Sequence, residues 1–181
     1  MEKEECLELI YGYSKKLAKL LQSAGGGLVV AESHTGGLIS SHLTDIPGSH
    51  RWYESGCIVF NSESKQKLLG VPKELIDRQT DVSAEVAAEM AVRARDLSGA
   101  MLAISATGLT GPGRDSVGRA PGLVYIGIAC ADGYVVSEYH FDGSREAIRF
   151  LTNLAAVKLA VWVLAAYLGG SHIADLSAKP L

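Results

Sequence analysis

In the run Val29-Val30-Ala31-Glu32-Ser33-His34-Thr35-Gly36-Gly37 an apolar stretch stops at a serine and two glycines follow, and this punctuation constrains the fold more than any other segment. Residues 28–31 are apolar and rich in β-branched side chains, as in a buried strand. Residues 32–37 read as a turn, and residues 38–43 open a helix. Ser33 is therefore expected at a strand's carboxyl end beside a helix N-terminus, where unpaired amides favour developing negative charge. Plain structure uses the same residue types, because serine and threonine cap helices and glycine serves tight turns.

The same alternation continues along the chain. Residues 5–23 place Leu7, Ile10, Leu17, Leu20 and Leu21 at helical spacing before Gly25-Gly26-Gly27. The helix of residues 38–43 stops near Pro47-Gly48. Residues 57–60 are a strand candidate, 62–69 a short helix, and Pro72 opens another helical turn. Ser83 is a candidate cap for a helix over 84–97. Residues 101–106 and 123–130 read as strands, the latter joined through Asp132-Gly133 to a hairpin partner at 134–141. Residues 145–168 form the last long helix, and 169–181 read as a loosely held tail. The pattern predicts an α/β fold, a three-layer α/β/α sandwich on a mixed, mainly parallel sheet, as a single domain over 1–181 with its core at about 5–168.

With 181 residues, 48% of them hydrophobic, the chain has room for one well-buried domain. A formal charge of −3 without a Lys/Arg cluster argues against nucleic acid as a principal partner and favours a small molecule. Cys6, Cys57 and Cys130 are odd in number and widely spaced, so neither a disulfide framework nor a metal site is suggested. Met-Glu-Lys-Glu-Glu lacks the features of a signal peptide, and the apolar run 159–168 is about half of a membrane span. A cytoplasmic location and no membrane partner are expected.

Ligands of such folds sit at the carboxyl ends of parallel strands, and two further loops are expected there. In Thr107-Gly108-Leu109-Thr110-Gly111-Pro112-Gly113, three glycines let backbone amides approach an anion and hydroxyls supplement them. The segment lacks the Gly-Lys-Ser/Thr ending of a P-loop. Arg114 and Arg119 follow and are candidates for a phosphate or for ordinary solvated positions. The other loop is Phe60-Asn61-Ser62-Glu63-Ser64-Lys65, with Lys65 on the first turn of the next helix. Lys65 reads either as a surface residue or as a base, the latter only if desolvation or nearby positive charge lowers its pKa.

Taken together these motifs resemble the C-terminal domain family of the competence/damage-inducible protein CinA. The resemblance runs from about residue 7 to 168. It is carried by Ala31-Glu32-Ser33, Thr35-Gly36-Gly37, Leu43-Thr44-Asp45-Ile46-Pro47-Gly48-Ser49, Leu69-Gly70-Val71-Pro72, Val82-Ser83, Glu85-Val86-Ala87, Thr107-Gly108, Gly111-Pro112-Gly113 and Val124-Tyr125-Ile126, all in order. It implies a metal-independent, cofactor-free amidohydrolase that converts the carboxamide of nicotinamide mononucleotide to a carboxylate with release of ammonia. Ser33 matches the family's nucleophile and Lys65 its lysine, which looks like the general base. Thr35, Gly36, Gly37, Thr107, Gly108 and Gly111 are then substrate-binding candidates, their backbone supplying donors for an oxyanion or phosphate. Arg145 matches a family arginine and is the better phosphate ligand, with Arg119 as a second candidate. A homo-oligomer is expected.

Two positions depart from the family pattern. His34 stands where the family usually has cysteine, and Phe60-Asn61-Ser62 where it usually has Tyr-Ser-Asn. That tyrosine looks like a participant in proton transfer, which Phe60 cannot be. His34 is a candidate relay in its place, or a structural contact. The function classes implied are the deamidase, a catalytically weakened or inactive nucleotide-binding or regulatory domain, and an amidohydrolase of another carboxamide or a protein-interaction module. The pyrophosphatase domain of the family's longer members is not expected within these 181 residues.

Overall fold

The computed structural model describes residues 2–176. In chain order they form α1 Lys3–Ala24, β1 Leu28–Glu32, α2 Leu38–Thr44, β2 Tyr53–Ile58, α3 Ser62–Leu69, α4 Lys73–Gln79, α5 Ala84–Ser98, β3 Leu102–Gly108, β4 Leu123–Cys130, β5 Gly133–His140 and α6 Arg145–Leu168, with 3-10 turns at Ser49–Arg51 and Ile173–Asp175. The sheet order is β2-β1-β3-β4-β5. β1 pairs in parallel with β2 and β3, and β4 runs antiparallel to β3 and β5, so β4 alone opposes the other four strands.

Strand alternation divides the interior into two cores. Leu28, Val30, Leu102, Ile104, Ile126 and Ile128 face α1, α2 and α6, whereas Val29, Ala31, Ala103 and Ala129 face α3, α4 and α5. This is the three-layer sandwich expected from the sequence. The α6 helix is long and apolar enough to cross a membrane, yet its apolar stripe is packed against β3, β4 and α1.

On the other face α5 approaches the sheet closely because small residues meet there. The Ser105 hydroxyl donates to the Ala87 carbonyl at 2.6 Å. A Cβ on Gly127 would lie 2.7 Å from that carbonyl oxygen and 2.6 Å from Ser105 Oγ, so only glycine fits without moving the helix.

The connections place a crevice at one end of the sheet. From β1 the chain passes to α2 on one face, and from the adjacent β2 it passes to α3 on the other, which opens the space beyond their carboxyl ends. Ser33 and the 60–65 segment border that space.

Two sequence expectations are corrected. The second strand lies at Tyr53–Ile58 rather than 57–60, because it is an edge strand whose mostly exposed residues carry no buried alternation to read. The tail is tied down as far as residue 176. Ile173 is fully buried beside β5, and its amide donates to the Asp132 carboxylate at 3.4 Å. The remainder of that expected tail, 177–181, lies outside the described residues.

Gly127→Ala is expected to destabilise the fold by about 1–3 kcal/mol through overpacking between α5 and the sheet. Urea unfolding of wild type and variant measures the difference; an unchanged midpoint would show that α5 yields freely.

Candidate active site

The turn after β1 is organised by a carboxylate. Glu32 is completely buried, and it accepts from the amides of Gly37 at 3.0 Å, Ile39 at 3.1 Å and Ser40 at 2.8 Å, and from Ser40 Oγ at 2.5 Å. It thereby caps α2 from outside the helix, and the chain returns through Gly36 and Gly37, both at positive φ (62° and 93°). Capping, one reading of Ser33, thus falls to Glu32. The first-turn amides expected to favour an anion are also occupied, and the Gly36 amide donates to the Ser33 carbonyl at 3.1 Å.

Ser33 extends the β1 ladder by one step, its amide donating to the Ala106 carbonyl at 2.9 Å. Its hydroxyl donates to the Phe60 carbonyl at 3.3 Å and accepts from Lys65 Nζ at 3.2 Å. The lysine arrives there because the Asn61 side chain caps α3, accepting from the Ser64 amide at 2.8 Å, and because Lys65 and Leu69, four residues apart, share the buried stripe of that helix. Lys65 is 0% exposed. Burial lowers its pKa below the ordinary lysine value, opposed by the Asp81 carboxylate 3.5 Å away. Desolvation prevails, which is the condition the sequence reading set for a basic amine.

Asp81 was not singled out by the sequence, having no motif around it. It sits in a turn that begins at Thr80, a non-glycine residue with φ 68° and ψ 168°. Such a conformation costs about 1–3 kcal/mol and persists only when its surroundings enforce it. Here Arg119 does so. Its Nη1 donates to the Val82 carbonyl at 2.5 Å, its Nη2 to Thr80 Oγ1 at 2.8 Å and its Nε to the Asp115 carboxylate at 2.7 Å. The expectation that Arg119 faces a phosphate is therefore corrected: its donors are engaged by protein groups. Thr107 likewise donates to the Asp81 carbonyl at 2.9 Å rather than offering its hydroxyl to a ligand.

Ser33, His34, Phe60, Asp81, Gly108, Gly111 and Arg145 line one cleft of about 260 Å³, closed on one side by residues 109–115. Arg145 uses one donor on the Gly111 carbonyl at 2.8 Å and is otherwise exposed at the rim. Phe60 also stands at the opening, 56% exposed. Thr35 is fully buried, and its carbonyl accepts from Arg149 Nη2 at 2.7 Å; the sequence reading missed this arginine. Among the described residues the Thr35 amide is engaged by no carbonyl or side chain. No cluster of three or more His, Cys, Asp or Glu residues among them is placed to hold a metal ion.

The relay expected of His34 is corrected. Burial, reinforced by the positive charges of Arg149, Lys65 and Arg145, pushes its pKa down to about 3, so the ring is neutral near pH 7. Thr152 gives its single hydroxyl proton to the Ile148 carbonyl at 2.8 Å and so accepts from His34 Nε2 at 3.0 Å. That fixes the tautomer and leaves Nδ1 a buried, unpaired acceptor.

A three-layer α/β domain with a buried serine–lysine pair at the sheet's switch point defines the structural class. The sequence model of the CinA C-terminal domain matches residues 11–164, and the chain belongs to that family. It is 40% identical over 141 residues to a CinA-like protein of Geotalea uraniireducens, covering 78% of this chain and 34% of that one. The chain thus spans about a third of the length of the curated relatives it matches. Among solved structures, the competence or damage-inducible protein of Enterobacter asburiae superposes with a TM-score of 0.83 at 30% identity, covering 86% of this chain and 98% of that one. The competence damage-inducible protein A of Klebsiella pneumoniae gives 0.85 at 25% identity, covering 87% and 98%.

Glu32→Gln is expected to lower stability by about 1–3 kcal/mol, because an amide NH2 turned toward the helix amides leaves donors facing donors; the shift in melting temperature reports it. Lys65→Met is expected to act in the opposite direction. With its folded pKa depressed, Lys65 binds fewer protons in the folded than in the unfolded chain between the two pKa values, so wild-type stability rises with pH through that window. The variant should be more stable than wild type at roughly pH 7 and gain less toward roughly pH 9 in urea titrations. A less stable variant would mean that the Lys65–Asp81 pair outweighs burial.

Proposed function

We propose that this protein is an amidohydrolase that hydrolyses the carboxamide of nicotinamide mononucleotide to nicotinic acid mononucleotide and ammonia through a Ser33–Lys65 mechanism. The observation that carries this reading is the fully buried Lys65 amine, 3.2 Å from Ser33 Oγ at the base of an open cleft. An amide is a poor electrophile, so serine must lose its proton as it attacks. A lysine kept from water, with its pKa lowered by burial, supplies a neutral amine for that proton.

The sequence of bonds then follows. In the resting arrangement Lys65 donates to Ser33 Oγ, whose own proton points to the Phe60 carbonyl. Once Lys65 is neutral, the hydroxyl turns to its lone pair. Oγ attacks the carboxamide carbon, the proton passes to Lys65, and the negative charge moves to the former carbonyl oxygen, for which the uncommitted Thr35 amide, two residues from Ser33, is the candidate backbone donor. As the C–N bond breaks, Lys65 returns the proton to the departing ammonia. Water attacks the ester by the same base, releasing the carboxylate and restoring Ser33. Arg145 holds the nucleotide phosphate from the rim, where its remaining guanidinium donors are free to form a fork.

One observation favours a second reading, a nucleotide-binding domain with little or no turnover. Phe60 stands beside Ser33 at the cleft opening and carries no hydroxyl to assist a proton.

Ammonia release from nicotinamide mononucleotide by the purified protein decides between them. We expect slow turnover that Ser33→Ala abolishes. Phe60→Tyr should accelerate it by up to the about 10²- to 10⁴-fold that positioned acid–base assistance contributes. Arg145→Ala should weaken nucleotide binding without unfolding the chain. Binding by wild type with no ammonia from either wild type or Phe60→Tyr would select the binding domain.

A further inference from the structure

Arg119 lies outside the contacts that define the serine–lysine pair, yet it is the most heavily engaged cation around the cleft. It reaches from the loop between β3 and β4 to the turn between α4 and α5, and it is fixed at its own end by Asp115, whose carboxylate also accepts from the Arg119 amide at 2.8 Å. At the far end it grips both residues that flank Asp81: the hydroxyl of Thr80 and the carbonyl of Val82. Thr80 in turn donates from Oγ1 to the Val82 carbonyl at 3.2 Å, closing the turn on itself. The Asp81 carbonyl between them is held by Thr107 of β3. What this turn presents to the interior is one carboxylate, 3.5 Å from Lys65 Nζ.

We propose that Arg119 is a positioning residue for Lys65: by clamping Thr80 and Val82 it holds the Asp81 carboxylate against the lysine, and so governs how firmly that amine keeps its proton before Ser33 can use it. The inference rests on the serine–lysine reading of the cleft, and it extends to a residue that touches neither member of the pair. A backbone at positive φ on a β-branched residue does not hold itself. Without the guanidinium the turn relaxes, Asp81, already partly exposed, swings toward water, and Lys65 is left with desolvation alone.

The other charged groups around this path are few. His34 lies within electrostatic reach of Lys65, Arg145 and Arg149, but its ring is neutral. Tyr125, with Glu138 and Glu85 near it, faces Arg119 from β4, β5 and α5. Among these the Asp81 carboxylate alone opposes desolvation at Lys65.

The test reads Lys65 itself. In protein labelled with ¹³C at the lysine ε-carbons, the Lys65 signal is identified by its loss in Lys65→Arg, and its titration midpoint is followed in wild type, Arg119→Gln, Asp81→Asn and the double variant. We expect Arg119→Gln to lower the midpoint by about one pH unit, tenfold in the ionisation equilibrium, as loss of a close opposite charge does. Asp81→Asn should do the same, and the double variant should add nothing further. Arg119→Lys, which keeps the charge but loses the fork, should rescue only in part. Thr80→Gly suits the positive φ and removes one of the clamp's acceptors, so it remains folded and lowers the same midpoint if Arg119→Gln proves too unstable to study. The pH dependence of Ser33 sulfonylation by phenylmethylsulfonyl fluoride should move with the NMR midpoint. A variant that melts earlier while the Lys65 midpoint stays in place would overturn the proposal, as would shifts from Arg119→Gln and Asp81→Asn that simply add. Neither readout uses a nucleotide, so failure of the amidase reading, seen as no ammonia release, is distinguishable from failure of this one.

Discussion

The buried carboxylate of Glu32 is the interaction on which the site depends. A strand that ends in the interior must turn without leaving polar groups unpaired, and α2 must begin there with its first amides facing the same interior. One side chain answers both requirements by taking the Gly37 amide, two α2 amides and the Ser40 hydroxyl. The turn it closes is short, so Ser33 is held between β1 and α2 with its amide still in the sheet ladder. A capping serine at that place would have turned its hydroxyl into the helix. With the carboxylate as cap, the hydroxyl is left to the cleft.

The same economy of contacts explains Lys65. A lysine on the buried stripe of an eight-residue helix costs free energy unless it is neutral or paired, and the structure supplies a partial measure of each. Burial drives the amine toward its neutral form, while Asp81, at 37% side-chain exposure, is a partner weakened by water. A fully buried aspartate would hold the proton on the lysine, and no aspartate would leave the amine a poorer base. The half-exposed partner lies between these limits, and the position of the turn that carries it matters accordingly.

Much of this was legible in the sequence because it depends on period and punctuation. The strand stopping at Ser33, the Ser83 cap, the Asp132-Gly133 hairpin and the long α6 stripe are local signals, and the layers follow from them. Lys65 was singled out by the family resemblance rather than by spacing, which read it equally as a surface residue; its burial beside Leu69 on α3 shows only in the fold. What escaped has a common physical cause. Glu32 reaches forward across a turn that local rules read as serine-capped, β2 is an exposed edge strand without alternation, and Ile173 is buried only because β5 happens to lie beneath it. Asp81 and Arg149 belong to segments far from Ser33 in the chain, so no spacing announces them. His34 looked like a group poised to titrate, but that depends on its buried surroundings and its bond to Thr152, which only the assembled fold supplies.

The cations around the cleft divide by what the carbonyls near them require. The loops leaving β1 and β2 and the turn joining α4 to α5 carry backbone carbonyls that no neighbouring strand satisfies, and here side chains satisfy them: Arg149 at Thr35, Ser33 at Phe60, Arg119 at Val82 and Thr107 at Asp81. Arg119 and Arg149 are thereby committed to the walls. Arg145, which gives one bond to Gly111, and Arg114, which gives one to Gly118, remain exposed at the rim for an anionic ligand, while Lys65 lies beneath with its charge disfavoured by burial. A cleft built this way separates binding from chemistry in space: a permanent charge at the opening draws an anion, and an amine that can give up its proton waits at the base. Placed the other way round, a guanidinium beside Ser33 could not accept the proton, because its pKa stays far above neutrality, and a lysine at the rim would remain charged and hydrated.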